Sequence, residues 1–245
     1  MKLKDKIILL TGGYGLIGRE ILKNLYAEGA FVINADIIAI DSEDLSTMYL
    51  DITNEESVIN VFKKINQKYG RIDGVINNAY PRTDDWGDKF EYIKFESWRK
   101  NIDFQLNSYF LVCQTALKYM KEKQFGSIVN ISSIYGVVGP DFTLYNGSDM
   151  TMPAAYSAIK GGLINLTRYL ASYFGPFNIR INCVSPGGVL DGQPKVFIDN
   201  YANKVPMKRM ANADDISPAV IFLLSNDSKY ITGQNLIIDG GWTCI

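Results

Sequence analysis

Short β-branched runs alternate with helical stretches from one end of this chain to the other, and that alternation limits the folds open to it. Ile7–Leu10, Phe31–Ala35, Thr47–Leu50, Gly74–Asn77, Ser127–Ile131, Arg180–Val184 and Asn235–Asp239 read as strands. Between them, Ile17–Glu28, Glu55–Tyr69, Ser97–Lys121, Ala154–Phe174 and Asp214–Ser225 carry helical periodicity. Strands joined through helices form β-α-β units, and hence a parallel sheet covered by helices on both faces. The expectation is an α/β, Rossmann-type doubly wound fold with a seven-stranded parallel sheet. No Pro/Ser-rich linker or charge block divides residues 1–245, so the chain reads as a single domain. Pro81–Glu91 and Pro140–Pro153 are irregular, and loops at the C-terminal edge of such a sheet are where ligands bind.

Composition narrows the chemistry. The chain has no histidine, the commonest general base and metal ligand, so Ser-His-Asp, Cys-His and H-E-x-x-H sites are excluded. Any acid or base must be Asp, Glu, Lys, Tyr or Cys, and no metal is expected. A net charge of −1 argues against nucleic acid or an anionic membrane as partner. Cys113, Cys183 and Cys244 form no C-x-x-C pair, which suits a reducing compartment. The apolar run Ile7–Leu10 is too short for a signal peptide, and no segment has the length of a membrane span. A soluble, cytoplasmic protein is expected.

Directly after the first strand comes Thr11-Gly12-Gly13-Tyr14-Gly15-Leu16-Ile17-Gly18, which satisfies G-x-G-x-x-G through Gly13, Gly15 and Gly18. Glycines there permit a tight turn, close backbone approach to a pyrophosphate and close helix–strand packing. The positive end of the next helix then faces the phosphates. Gly12, Tyr14, Gly15, Leu16, Ile17 and Gly18 are therefore the expected cradle of a dinucleotide. Asp36, 18 residues past Gly18, is placed to hydrogen-bond ribose hydroxyls and to repel a 2′-phosphate, favouring NAD over NADP. Asp51, with Ile52, is the candidate for the adenine. Arg19 is a possible phosphate contact, more in keeping with an exposed helix face.

Tyr156 and Lys160 stand at i and i+4 on a helix and so emerge from one face. A phenol is a poor base at neutral pH, and a neighbouring cation lowers its pKa. With the glycine turn upstream and Ser132-Ser133 ending a central strand, the pair becomes a candidate site.

Together these residues closely resemble the short-chain dehydrogenase/reductases, in their short single-domain branch. The resemblance runs nearly end to end, through Asn77-Asn78-Ala79, Ile131-Ser132-Ser133, Tyr156 and Lys160, Asn182 with Pro186-Gly187, Ile231-Thr232-Gly233-Gln234 and Asp239-Gly240-Gly241. It implies that Tyr156 gives or takes the substrate hydroxyl proton. Lys160 would bind the nicotinamide ribose and depress the Tyr156 pKa, and Ser133 would hydrogen-bond the reacting oxygen. Pro186, Gly187 and Val189 would line the nicotinamide, while Asn78 and Ala79 would sit beside the cofactor. A homodimer or homotetramer is the implied assembly.

Four departures stand out. Leu16 replaces the family's middle glycine, and Gly12, Gly15 and Gly18 follow the spacing of the longer sugar-nucleotide epimerase and dehydratase branch. Tyr80, followed by Pro81, replaces the glycine of Asn-Asn-Ala-Gly. The family's catalytic Asn, which anchors a water behind the lysine, aligns with Gln105. Ser133 and Tyr156 are 23 residues apart where the family has about 13, so roughly ten extra residues intervene.

The inserted Pro140–Pro153, the rim residues Arg82, Asp84, Asp85 and Trp86, and the segment Gly188–Lys195 should border the substrate. Aromatics mixed with polar groups suit a carbohydrate, and Arg82 or Lys195 could take a phosphate. Asn77-Asn78-Ala79-Tyr80-Pro81, Met150-Thr151-Met152-Pro153 and Ser185-Pro186-Gly187-Gly188 further resemble the PtmA-like oxidoreductases of bacterial flagellin-modification and surface-glycan gene sets. That implies a sugar-derived small-molecule substrate. Two other readings stay open: an epimerase or dehydratase, prompted by the glycine spacing, and a dinucleotide-binding regulator that has lost catalysis, prompted by Gln105.

Overall fold

The computed structural model describes residues 1–245. Its strands are β1 (Ile7–Thr11), β2 (Phe31–Asp36), β3 (Thr47–Tyr49), β4 (Gly74–Asn77), β5 (Gly126–Ile131), β6 (Ile179–Pro186) and β7 (Asn235–Ile238). They form one sheet in the order β3-β2-β1-β4-β5-β6-β7, with every neighbouring pair parallel. The helices are α1 (Leu16–Ala27), α2 (Glu55–Tyr69), α3 (Phe95–Ile102), α4 (Ser108–Lys123), α5 (Ala154–Phe174), α6 (Lys195–Lys204) and α7 (Ser217–Leu224).

Register explains why the strands carry apolar residues at both parities. Leu9 stands beside Ile33 and Val75, Val75 beside Ile128, and Ile128 beside Ile181. That row faces the core shared with α2, α4 and α5, where Val58, Phe62 and Ile65 of α2 are buried. The alternate row, Ile8, Leu10, Val32, Ile76 and Val129, faces Ile21 and Leu25 of α1 and Val220 and Leu224 of α7. Each side chain so enclosed contributes about 1.5–3 kcal/mol. Both sheet faces are covered, so both parities must be apolar.

Helix limits follow local chemistry. Asn54 caps α2 by accepting from the Ser57 N–H at 2.9 Å, and Gly70 ends it at φ 69°, in the left-handed region. The helix read over Ser97–Lys121 runs from Phe95 to Lys123 with a π-turn at Asp103–Asn107. The one read over Asp214–Ser225 begins as a 3₁₀ turn at Ala213–Asp215, and α7 itself starts at Ser217.

Helix α6 was not expected. Phe197 and Tyr201 bury one face of it against Leu144 and Tyr145 of the insertion, in a small third core. A ten-residue helix whose packing partner lies 53 positions upstream in sequence, as Phe197 lies from Leu144, has little periodicity to announce it. The chain order of the sheet reverses between β1 and β4, which opens a crevice at their C-terminal ends.

Candidate active site

A cleft of about 960 Å³ occupies that crevice. Gly12, Tyr14, Gly15, Leu16, Ile17, Asp36, Asp51, Ile52, Asn78, Ala79, Ser133, Tyr156, Lys160, Pro186, Gly187 and Val189 all line it. Two expected site residues, Gly18 and Gln105, are not among the lining residues.

The glycine turn is held by a network the sequence reading passed over. Thr11 Oγ1 donates to the Ile76 carbonyl at 3.2 Å and accepts from the N–H groups of Asn78 and Ala79 at 3.0 and 3.1 Å. The Asn78 amide donates to the carbonyls of Thr11 and Gly12, so it braces the turn from across the crevice. Gly12 needs its missing side chain: its φ is +69°, and a Cβ would lie 2.7 Å from Ala79 Cα. At Gly18 a Cβ would meet the Gly12 carbonyl oxygen at 2.2 Å, so this glycine allows α1 to close on the turn rather than touching a ligand.

The first turn of α1 has no side-chain cap and no acidic residue. Its uncovered N–H groups and bare glycine surface fit a pyrophosphate. Further along, Asp36 is fixed by the N–H groups of Tyr14 and Ile38, at 3.1 and 3.2 Å on separate carboxylate oxygens. Asp51 uses one oxygen for Thr53 and leaves the other free of protein partners. Arg19 donates to the Tyr14 carbonyl from an exposed position, as its place on the helix surface suggested. These residues fit a nicotinamide dinucleotide laid across the switch point.

At the other end, three elements converge on Tyr156. Ser132 Oγ donates to the Lys160 carbonyl at 3.0 Å. The 3₁₀ turn Ile134–Gly136 presses so closely on α5 that a Cβ on Gly136 would lie 2.6 Å from the Lys160 carbonyl carbon. These contacts set the Ser132-Ser133 strand end against the Tyr156–Lys160 face of α5. Lys160 is buried, and its Nζ donates to the Ile131 carbonyl at 2.8 Å. Burial pushes the Lys160 pKa down to about 8.

The phenol itself departs from expectation. Removal of solvent lifts the Tyr156 pKa above the ordinary phenol range, and the Ser133 hydroxyl draws it only partly back. The lysine, with its ammonium 5.5 Å from the Tyr156 ring centre and committed to the Ile131 carbonyl, does not set the direction. Desolvation outweighs the neighbouring cation in this state of the site.

Tyr80 forms a wall beside it. Its ring meets Tyr156 edge-on at 5.8 Å and Trp86 edge-on at 5.8 Å, and Trp86 meets Tyr156 at 6.2 Å. From the insertion, Tyr145, Met150, Thr151, Met152 and Pro153 line the cleft; from the other rim come Arg82, Asp191 and Gln193. Lys195 corrects the sequence reading. It lies on α6, 86% exposed at its side chain, and pairs with Asp199 at 2.7 Å rather than facing the cleft. Asp85 is likewise turned away, accepting from Ser97 Oγ at 2.6 Å. Gln105 sits buried inside the π-turn, with neither amide atom partnered by protein.

Comparison with known proteins agrees with this fold. The family described as Enoyl-(Acyl carrier protein) reductase matches residues 16–243. The post-translational flagellin modification protein A of Campylobacter coli is 35% identical, over 98% of this chain and 99% of its own. The 3-oxoacyl-acyl-carrier-protein reductase FabG of Thermotoga maritima is 32% identical, over 98% of this chain and 99% of its own. Among solved structures, a short chain dehydrogenase from Leptospira borgpetersenii with bound NAD+ superposes with a TM-score of 0.89 at 37% identity, covering 99% of this chain and 94% of that one. The chain belongs to the short-chain dehydrogenase/reductase family. It is an oxidoreductase acting on CH–OH groups with a nicotinamide cofactor. No helix is long and apolar enough to cross a membrane.

Proposed function

We propose that this enzyme is an NAD-dependent oxidoreductase of a sugar or sugar-derived small molecule, interconverting a secondary alcohol and a ketone. The observation that carries the reading is the convergence of Ser133, Tyr156 and Lys160 at one end of a cleft whose other end carries Asp36. Nicotinamide dinucleotide, when bound, supplies or accepts the hydride. The chain's own residues manage the proton and the geometry.

Ser133 holds the reacting oxygen by a hydrogen bond, and Tyr156 gives its phenolic proton to that oxygen in reduction or takes it in oxidation. A phenol kept protonated by desolvation suits the donor role. In this reading Lys160 binds the nicotinamide ribose, and Pro186, Gly187 and Val189 back the nicotinamide. Gly12, Gly15 and the α1 N-terminus hold the pyrophosphate. Asp36 takes the ribose hydroxyls, and a carboxylate so fixed disfavours a 2′-phosphate, which makes NAD the expected cofactor.

The carbohydrate reading rests on the aromatic and polar lining around Tyr80, Trp86, Asp191 and Gln193, and on the likeness to a flagellin modification protein. A cytoplasmic homodimer or homotetramer is the expected form. Phe110 on α4 and Tyr169 and Tyr173 on α5 remain exposed on one helical layer, which suits a partner copy. Light scattering of the purified protein tests this.

Turnover is tested by absorbance at 340 nm with NADH or NAD against sugars, sugar phosphates, nucleotide sugars and acetoacetyl-CoA. Oxidation or reduction of a carbohydrate is expected; turnover of the thioester alone would move the substrate to acyl chemistry. A second reading, a dinucleotide-binding regulator, is favoured by the unpartnered Gln105 amide. Tight NADH binding with no turnover of any compound would select it.

A further inference from the structure

Arg82 is the one cation besides Lys160 among the cleft-lining residues, and it has no carboxylate partner. What holds it is an aromatic ring: its guanidinium carbon lies 5.4 Å from the centre of Tyr80. A guanidinium beside an aromatic ring keeps its charge, and of its five donors the Tyr80 hydroxyl engages at most a part.

The segment presenting it is anchored at both ends. Ala79 donates its N–H to Thr11 Oγ1 at 3.1 Å, and its carbonyl accepts from the Tyr109 hydroxyl at 2.9 Å. Thr83 donates its N–H to the buried Asn101 side chain at 3.1 Å, and its hydroxyl accepts from the same amide at 2.8 Å. Between these anchors, Pro81 steers Tyr80 towards extended backbone, where residues 80 and 82 fall on the same side of the chain. Tyr80 therefore touches the Tyr156 ring and the Arg82 guanidinium at once.

Nearby acids do not cancel that charge. Asp85 accepts from Ser97, Asp84 forms no ion pair, and Asp191, the acid lining this half, lies beyond ion-pair reach of Arg82. We infer that Tyr80-Pro81-Arg82 forms an anion subsite, so that the substrate carries a carboxylate or phosphate one aromatic ring's span from the carbon that exchanges hydride. This rests on the carbohydrate reading above for the nature of the rest of the substrate, but not for the anion.

The test is calorimetric titration of the NADH-saturated protein with glucose, glucose 6-phosphate, glucuronate and inorganic phosphate. One charge-assisted guanidinium contact predicts that the 6-phosphate or the glucuronate binds at least about tenfold more tightly than glucose. The better of the two shows whether phosphate or carboxylate is preferred. Arg82→Gln should bring the ratio close to one, and Arg82→Lys should restore part of it. NADH titration of each variant checks that the cleft is intact. Equal affinity for charged and neutral sugars in the wild type, or a preference that survives Arg82→Gln, overturns the subsite. Binding of inorganic phosphate that is lost in Arg82→Gln, with no gain from any attached sugar, supports the subsite and instead removes the carbohydrate reading.

Discussion

The two halves of the cleft are built in different ways. The half proposed above for the cofactor is made of strand ends and the tight turns that leave them: Gly12 and Gly15 after β1, Asp36 closing β2, Asp51 just past β3. Its polar side chains Thr11, Asn78 and Asp36 are each tied to backbone groups of the strand ends and turns around them. The substrate half is assembled from Tyr80–Trp86, the insertion Pro140–Pro153, and α6 with the loop before it. The insertion and α6 are held to one another by side chains: Asn200 donates to the carbonyls of Leu144 and Asn146, Lys204 pairs with Asp141, and Phe197 packs on Tyr145. A half tied to the backbone of the sheet is suited to a cofactor common to many enzymes. A half built from side chains can change its ligand by substitution without disturbing the sheet.

The largest expected effect lies where the halves meet. Tyr156→Phe should reduce turnover by about 10²–10⁴-fold while NADH still binds, as measured by single-turnover absorbance beside NADH titration. Turnover close to wild type would show that another group moves the proton. Within the cofactor half, Asp36→Ala should weaken NADH by roughly 10- to 100-fold and narrow its advantage over NADPH. Fluorescence titration of both nucleotides reads this, and a wild-type preference for NADPH would contradict the role of Asp36.

Lys160 yields a prediction in pH. Burial lowers its pKa from an ordinary 10.5 to about 8, so between those values the unfolded chain holds a proton that the folded chain does not. Stability of the cofactor-free protein from this group is therefore lowest below pH 8 and rises towards 10.5. Chemical denaturation across that range should show the wild type gaining on Lys160→Met. A gap that is flat or shrinks would mean that the amine is solvated. The smallest effect belongs to the clamp on the insertion. Lys204→Ala removes a half-exposed ion pair worth at most about 1 kcal/mol, so it should raise the substrate KM by roughly 2- to 5-fold and leave NADH affinity unchanged. An equal change in both constants would show that the halves are not separate.

Legibility divided along the same line. The strands, and the place of Gly12, Asp36, Ser133, Tyr156 and Lys160 on one cleft, are legible because each follows a local rule: an apolar run, a turn that demands glycine, a strand-end acid, an i,i+4 spacing. Gln105 was named by position, but its burial in a π-turn without a partner was not, since helix periodicity does not reveal an extra residue in a turn. Thr11 and Asn101 anchor the site through partners 65 and 18 residues away, at Ile76 and Thr83. Lys195 was misplaced because α6, which turns it outward, depends on contacts with Leu144 and Tyr145.

The sequence by itself determined the parallel sheet, the glycine turn after β1 and the Tyr156–Lys160 pair, because hydrophobic period, glycine placement and helix pitch act over a few neighbouring residues. Only the tertiary structure decided the protonation balance at Tyr156, the absence of a carboxylate partner for Arg82 and the union of the insertion with α6. Solvent exclusion, charge pairing and side-chain packing are set by groups far apart in the chain, and they exist only once the chain has folded.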